Sequence, residues 1–258
     1  MVISTPTLYS QIKESYKTII VIVGIAISLQ FVSSIPIEWF ESYLITSTAI
    51  TIFPLGVAIS CFIISNIYGG SKIFGKSYFI LGLSYVLFFL GEALYFFYFD
   101  PFDTYEYSII AEIFFMISMP LILTHIVINI GYFVEKLERL QKVLLLIIPL
   151  IIIFGYTLIF TTNNAEIPNE FYFHLIFVIE SSIVLAFTVV AFTLFRTTVL
   201  FAPWFLLLIG ILFSTAGDVL YRYTDTISSY DYSDPTTSLW LASSMIMIYA
   251  LYKHQKSI

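Results

Sequence analysis

Four acidic side chains stand inside stretches of the sequence that are otherwise apolar: Glu92, Glu112, Glu180 and Asp218. An ionisable group inside a bilayer costs at least about 2.5–3.5 kcal/mol on insertion scales, so such residues commonly mark polar cavities, ion pairs or functional sites. Carboxyl groups can bind a ligand, and in pairs they can act as general acid and general base. The four acids are therefore the first candidates for a functional site.

Two of these acids belong to motifs of the form Gly-acid-x-Leu-Tyr. The motifs are Gly91-Glu92-Ala93-Leu94-Tyr95 and Gly217-Asp218-Val219-Leu220-Tyr221, which lie 126 positions apart (217 minus 91). Each motif stands at the far end of an apolar run. The segment from Glu112 to Phe115 begins the next apolar run of the first half, and the segment from Thr237 to Trp240 does so in the second half. We therefore interpret the chain as two similar units, residues 1–135 and 136–258.

Arg222 lies four residues after Asp218, which places both side chains on one face of a helix. This spacing predicts an ion pair between them, with the guanidinium group extended towards the interface. A second interpretation is that Arg222 binds an anionic group, such as a lipid phosphate or a carboxylate. The sequence leaves both interpretations open.

Glu92 has no cation in its own predicted helix. Removal from water favours the neutral form of a carboxyl group, so we expect Glu92 to hydrogen-bond a tyrosine or a group in the other half. Ser181 and Ser182 follow Glu180, and this cluster is also typical of hydrogen bonding between helices. The candidate ligand-binding residues are Glu92, Tyr95, Glu112, Glu180, Asp218, Tyr221 and Arg222.

Several other chemistries are not predicted. His125 and His174 fall at different depths, so we expect each to be a packed hydrogen-bonding residue and expect no metal and no cofactor. The single cysteine, Cys61, cannot form a disulfide bond within the chain. The last apolar run has no lysine before Lys253, which argues against a retinal Schiff base. No basic surface for nucleic acid is apparent.

The composition is that of an all-α integral membrane protein. The chain is 59% hydrophobic and 11% charged, against about 25% charged residues in soluble domains, and its mean hydropathy is +0.96. No segment is left over for a soluble domain. Because a four-span unit keeps its orientation on duplication, the halves are expected to be parallel repeats. Eight transmembrane helices are predicted at 18–37, 44–68, 77–99, 108–133, 141–161, 171–195, 201–222 and 237–252.

The distribution of charge predicts the orientation in the membrane. Ten of the eleven basic residues fall at one side of these spans, and this side is expected to be cytoplasmic. Arg222 is the exception. Both termini should then be cytoplasmic in a multi-pass protein of the cell membrane. Acidic residues collect at the other side: Glu38, Glu41, Asp100, Asp103, Glu106, Glu166, Glu170, Asp225, Asp231 and Asp234. The four intramembrane acids fall in this outer half, which predicts an outer-half polar cavity.

The motifs resemble the multi-span membrane input region of archaeal and bacterial histidine kinases and GGDEF-type signalling proteins. The likeness lies in Phe89 to Tyr95, Ala111 to Phe115, Met119-Pro120, Gly217 to Tyr221 and Ser238 to Trp240. It implies a sensor that binds a ligand and signals to an output domain. No such domain follows Ile258 in this sequence, so a signalling role is expected to need a separate membrane or cytoplasmic protein partner.

A more distant resemblance is to the YhhN-type lysoplasmalogenases, eight-span membrane enzymes with an acid in spans three and seven. The similar segments run from Gly82 to Glu92 and from Gly210 to Asp218. The resemblance implies hydrolysis of the vinyl-ether bond of lysolipids, with Glu92 and Asp218 as the catalytic acids. Glu92 stands where that family usually has Asp.

Three functions therefore remain open. The first is a membrane module that binds a small or lipid-like ligand, with membrane lipid as a partner. The second is a membrane hydrolase of ether lipids. The third is an accessory subunit of a larger membrane complex, in which every intramembrane acid should be paired within the protein.

Overall fold

The computed structural model describes residues 8–35, 43–69, 71, 73–96, 105–163, 167–227 and 230–256, with side chains described except at 8–13, 43, 105–109, 163 and 169. These residues form helices joined by short connections, with no strand among them. Some residues used to predict the orientation lie outside the described residues: Glu38, Glu41, Lys72, Asp100, Asp103 and Glu166. The side chains of Lys13 and Glu106 also lie outside the described part of the structure. The helices are α1 (Leu8–Ser33), α2 (Tyr43–Ile67), α3 (Phe74–Leu94), α4 (Tyr105–Phe133), α5 (Arg139–Asn163), α6 (Asn169–Phe195), α7 (Phe201–Ile227) and α8 (Pro235–Lys256).

Seven of these helices, α1 to α7, are long and apolar enough to cross a membrane. A helix must satisfy its own backbone hydrogen bonds in lipid, and about 20 apolar residues span the hydrocarbon core. Prolines inside α2, α4 and α5 (Pro54, Pro120 and Pro149) do not end these helices. The all-helical, multi-span class that the composition predicts is confirmed.

Six helices pack side by side in a closed ring in the order α2, α3, α4, α6, α7, α8, with α8 returning to α2. Consecutive hairpins supply the contacts α2–α3, α3–α4, α6–α7 and α7–α8. Two longer-range contacts close the ring, α4 with α6 and α8 with α2. Each of these two contacts joins the first half of the chain to the second half.

The remaining two helices lie outside the ring. The first helix, α1, packs on α8, α2 and α7, whereas α5 packs on α6 and α7. Large apolar side chains of α5, including Leu146, Ile151 and Phe154, are 64–68% exposed. This exposed face is typical of a helix that contacts lipid rather than protein.

The eighth helix is less apolar than the others because its sequence includes Thr236, Thr237, Ser243 and Ser244. All four of these side chains are buried. The helix lies against α1, α2 and α7, so its polar residues face protein. Pro235 is its first residue, where a missing backbone N–H costs no helical hydrogen bond.

Candidate functional site

A cavity of about 900 Å³ lies inside the ring, at the end where α3 and α7 finish and α4, α6 and α8 begin. All six ring helices contribute lining residues, and the lining contains none from α1 or α5. Six of the seven candidate residues line it: Glu92, Tyr95, Glu112, Asp218, Tyr221 and Arg222. The seventh, Glu180, does not belong to the lining.

The strongest polar contact in the cavity wall is a two-pronged ion pair between Arg222 and Glu112. Arg222 Nη1 donates to Glu112 Oε1 at 3.0 Å, and Nη2 donates to Oε2 at 2.6 Å. The Tyr95 hydroxyl group donates to the same Oε1 at 3.1 Å. The guanidinium carbon also lies 3.8 Å from the centroid of the Phe177 ring. Bidentate hydrogen bonds between charged groups are among the strong side-chain hydrogen bonds in proteins.

The predicted ion pair between Arg222 and Asp218 is therefore wrong. Glu112 comes from α4, 110 residues earlier in the chain, and its two carboxylate oxygens accept from the two terminal nitrogens of the guanidinium group. Asp218 instead accepts a hydrogen bond from the indole Nε1 of Trp240 at 3.0 Å. The interpretation that Arg222 binds an anionic ligand also loses support, because both terminal nitrogens already contact a carboxylate.

The remaining intramembrane acids are not satisfied to the same degree. Glu92 lines the cavity and makes no hydrogen bond or ion pair with any described residue. Asp218 Oδ2 and Glu180 Oε2 are buried without a hydrogen-bond partner. A buried polar atom without a partner costs about 1–3 kcal/mol. Among the described residues, Glu112 is paired with a cation, Asp218 is bonded through one oxygen only, and Glu92 has no partner.

A second polar group lines the cavity between α6 and α7. His174 Nδ1 lies 2.9 Å from Thr226 Oγ1, and that hydroxyl group donates to the Arg222 carbonyl at 2.7 Å. A hydroxyl group has one proton, so His174 Nδ1 is the donor to Thr226. His174 Nε2 faces Asp225 Oδ2 at 3.6 Å. Sequence reasoning missed this group because His174 and Asp225 lie on different helices.

Aromatic side chains make up much of the cavity wall, and two of them lie directly against a motif glycine. A Cβ atom on Gly91 would lie 2.6 Å from the Phe115 ring, and one on Gly217 would lie 2.8 Å from Trp240. These rings follow their glycines by 24 and 23 residues (115 minus 91 and 240 minus 217). The sequence marks Trp240 only as part of the segment that begins the last apolar run, although the nearly equal spacing from each motif glycine would have indicated both ring positions.

Two groups of buried hydrogen-bonding residues lie towards the opposite end of the ring. His125 Nδ1 lies 2.7 Å from Ser77 Oγ, and Asn129 Nδ2 donates to the same oxygen at 2.6 Å. His254 contacts the hydroxyl groups of Tyr68 and Tyr78 at 3.0 and 3.2 Å. Both histidines are 1% exposed. His125 is thus a packed hydrogen-bonding residue, as predicted.

Comparison of the chain with known protein families, with curated proteins and with solved structures finds no match.

Proposed function

We propose that this chain is an integral-membrane module that binds a small or lipid-like ligand in the cavity of the six-helix ring. The observation that carries the proposal is Glu92, an acid in an apolar helix that lines a 900 Å³ cavity with no partner among the described residues. An unpaired acid at such a position is costly unless it has a functional partner. A ligand in the cavity supplies that partner.

All eight helices cross the membrane in this proposal, including α8. Ser243 and Ser244 lower the hydropathy of α8, but both line the cavity and so do not face lipid. With 22 residues, α8 is about 33 Å long at 1.5 Å per residue, which suffices to cross the hydrocarbon core.

Two parallel four-helix repeats explain the ring. If α1 to α4 correspond to α5 to α8, the contact of α2 with α8 corresponds to that of α6 with α4. The pairs Gly91–Phe115 and Gly217–Trp240 then occupy equivalent positions. A pseudo-twofold axis along the membrane normal would run through the cavity, where repeat proteins commonly bind their ligands.

Both termini lie on the cytoplasmic side in this proposal, and the cavity lies in the outer half. Lys253 Nζ near the end of α8 donates to Glu14 Oε1 of α1 at 2.7 Å, so the two terminal helices meet at one end. The described basic residues other than Arg222 gather at that end, opposite to the cavity. Ligand binding in the cavity would be signalled to a separate protein partner at that end.

The test is to identify what the protein carries. We would purify the wild-type chain from its own membrane with mild detergent, extract it with organic solvent and analyse the extract by mass spectrometry. The expected result is one compound enriched to about one per chain over the bulk lipid. Ser214→Phe adds a ring inside the cavity and should remove this compound. An extract that matches bulk lipid in both proteins would contradict ligand binding and favour an accessory subunit.

A second candidate is hydrolysis of a vinyl-ether lysolipid, which is favoured by the presence of both Glu92 and Asp218 among the residues that line one cavity. Protonation of the vinyl ether followed by addition of water gives a hemiacetal, which breaks down to a fatty aldehyde and a free glycerol hydroxyl group. One carboxyl group would donate the proton and the other would activate water. The measurement is aldehyde release by the purified chain. Release that persists in both Glu92→Gln and Asp218→Asn would reject this candidate.

A further inference from the structure

Three aromatic rings form a corner of the cavity beside the second glycine motif. The ring centroids of Tyr221 and Trp240 lie 5.2 Å apart, those of Tyr221 and Tyr230 lie 5.3 Å apart, and those of Tyr230 and Trp240 lie 6.0 Å apart. The rings are inclined to one another at 54° to 80°, so their faces do not stack. All three residues line the cavity. We call this group the aromatic corner.

Contacts with neighbouring residues hold the rings of the aromatic corner in place. The Trp240 indole donates to Asp218, and the absence of a Cβ atom on Gly217 lets the ring lie against α7. The Tyr230 hydroxyl group lies 2.7 Å from Thr237 Oγ1. Burial raises the pKa of Tyr230 well above its ordinary value, so this residue remains neutral. The corner is therefore preorganised and carries no charge of its own.

The ionisable side chains around the cavity are mostly acids. The lining contains the acids Glu92, Glu112, Glu170, Asp218 and Asp225, against Arg222 and His174. Arg222 is already paired with Glu112. Glu92 lines the same cavity as Tyr230 of the aromatic corner and has no partner among the described residues. An anionic ligand would meet several carboxyl groups here and no unpaired cation among the described lining residues.

We infer that the cavity recognises an organic ammonium group, held by the faces of Tyr230 and Trp240, with Glu92 as its counter-ion, because a nearby cation favours the ionised form of a carboxyl group. Aromatic faces attract cations through the ring quadrupole, and the effect grows when the cation is removed from water. The rest of the cavity suits an apolar chain, because Ile50, Phe53, Phe88 and Met119 line it. This inference rests on the proposed ligand-binding function and specifies the ligand's chemistry.

The test compares three probes with the same six-carbon chain: hexylammonium, hexanol and hexanoate. Binding to the purified full-length protein would be measured by calorimetry in one detergent at neutral pH. We expect hexylammonium to bind wild-type protein at least about tenfold more tightly than hexanol, and hexanoate to bind more weakly still. Glu92→Gln and Trp240→Leu should each remove most of the preference for the ammonium probe.

Glu180→Gln is the matched control, since it neutralises an intramembrane acid that does not line the cavity, and it should keep the preference. Trp240→Phe retains a ring and serves if Trp240→Leu does not fold, as judged by circular dichroism. Equal affinities for the three probes, or a preference for hexanoate, would overturn the ammonium inference while leaving a ligand-binding cavity intact. Loss of the preference in Glu180→Gln to the same extent as in Glu92→Gln would also overturn it.

The compound extracted from the native membrane gives an independent outcome. An amine-bearing lipid or a free alkylamine would support the inference, and its mass would tell these two sources apart. A recovered compound without an amine would overturn the ammonium inference but not the proposed function. The absence of any bound compound, together with no binding of the three probes, would instead contradict the proposed function.

Discussion

The ion pair of Arg222 illustrates how far the spacing of residues along the chain predicts which side chains contact each other. The i,i+4 spacing correctly marks Asp218 and Arg222 as members of one polar region, and both line the cavity. The ion pair itself forms with Glu112 across two helices. A local spacing rule considers one helix only, whereas the carboxylate that pairs with Arg222 comes from another helix.

Breaking the buried pair from either side should be strongly destabilising. Glu112→Leu or Arg222→Leu leaves one charge without a partner, for which a cost of about 3–5 kcal/mol is typical. The double variant removes both charges and should lose less than the sum of the two single losses. The free energy of unfolding in micelles, measured as a double-mutant cycle, checks this. Additive losses would mean that the two side chains are not coupled.

Asp218→Asn provides the contrast with the pair that the sequence predicts. The asparagine carbonyl can still accept the Trp240 hydrogen bond, and Arg222 keeps Glu112, so we expect a loss of less than about 1 kcal/mol. Glu112→Gln, with the same change of charge, should cost considerably more because it leaves Arg222 without its counter-ion. Thermal unfolding of the two variants side by side distinguishes the pairings. A larger loss in Asp218→Asn would restore the sequence-based pair.

At the scale of helices, the sequence predicts the positions of the helices better than it predicts the contacts that close the six-helix ring. Apolar runs locate the centre of each helix, because a helix that crosses the hydrocarbon core needs about 20 consecutive apolar residues. Helix α1 begins at Leu8, ten residues before the predicted start at residue 18. An apolar run does not reveal this start, because Met1 to Tyr16 are mixed in polarity. The contacts α4–α6 and α8–α2 are long-range, and no motif in either helix predicts them.

The two motif glycines should be intolerant of a side chain. Gly91→Ala and Gly217→Ala place a Cβ atom within 3 Å of a packed ring, and we expect each to cost about 1–3 kcal/mol of stability. Gly155→Ala is the control, because a Cβ atom there would meet no atom within 4 Å. The control should be neutral or stabilising by up to about 1 kcal/mol, since alanine favours helix. Equal effects at all three positions would contradict the close contact of α3 with α4 and of α7 with α8.

For the whole molecule, the class of the protein is predictable from composition, whereas the proposed sidedness is a matter for experiment. Cys61 is fully buried, so a membrane-impermeant maleimide should not label the wild-type chain. A second cysteine introduced at Arg196 or Lys256 should react only after the cells are opened. One introduced at Asp231 should react in intact cells. The reverse pattern of labelling would invert the topology and place the cavity in the inner half.

The candidate site could be predicted from sequence only in part, for a physical reason. Acids in apolar runs are conspicuous because their burial is costly, and three of the four predicted acids line one cavity. Glu180 carries the same signal but lies on another part of α6. Rings such as Trp240 and Tyr230 carry no comparable signal, because aromatic residues near span ends serve as bilayer anchors far more often than as cavity walls.

The central claim is that Glu92 contributes to a ligand site and that Glu180 does not. Native mass spectrometry of wild type, Glu92→Gln and Glu180→Gln, each released gently from its own membrane, tests it with the same substitution at two positions. We predict one bound non-protein mass on the wild type and on Glu180→Gln, and a large loss of that mass from folded Glu92→Gln. Equal retention of the mass in all three proteins would contradict the assignment of Glu92. No bound mass on the wild type would contradict the ligand-binding account itself.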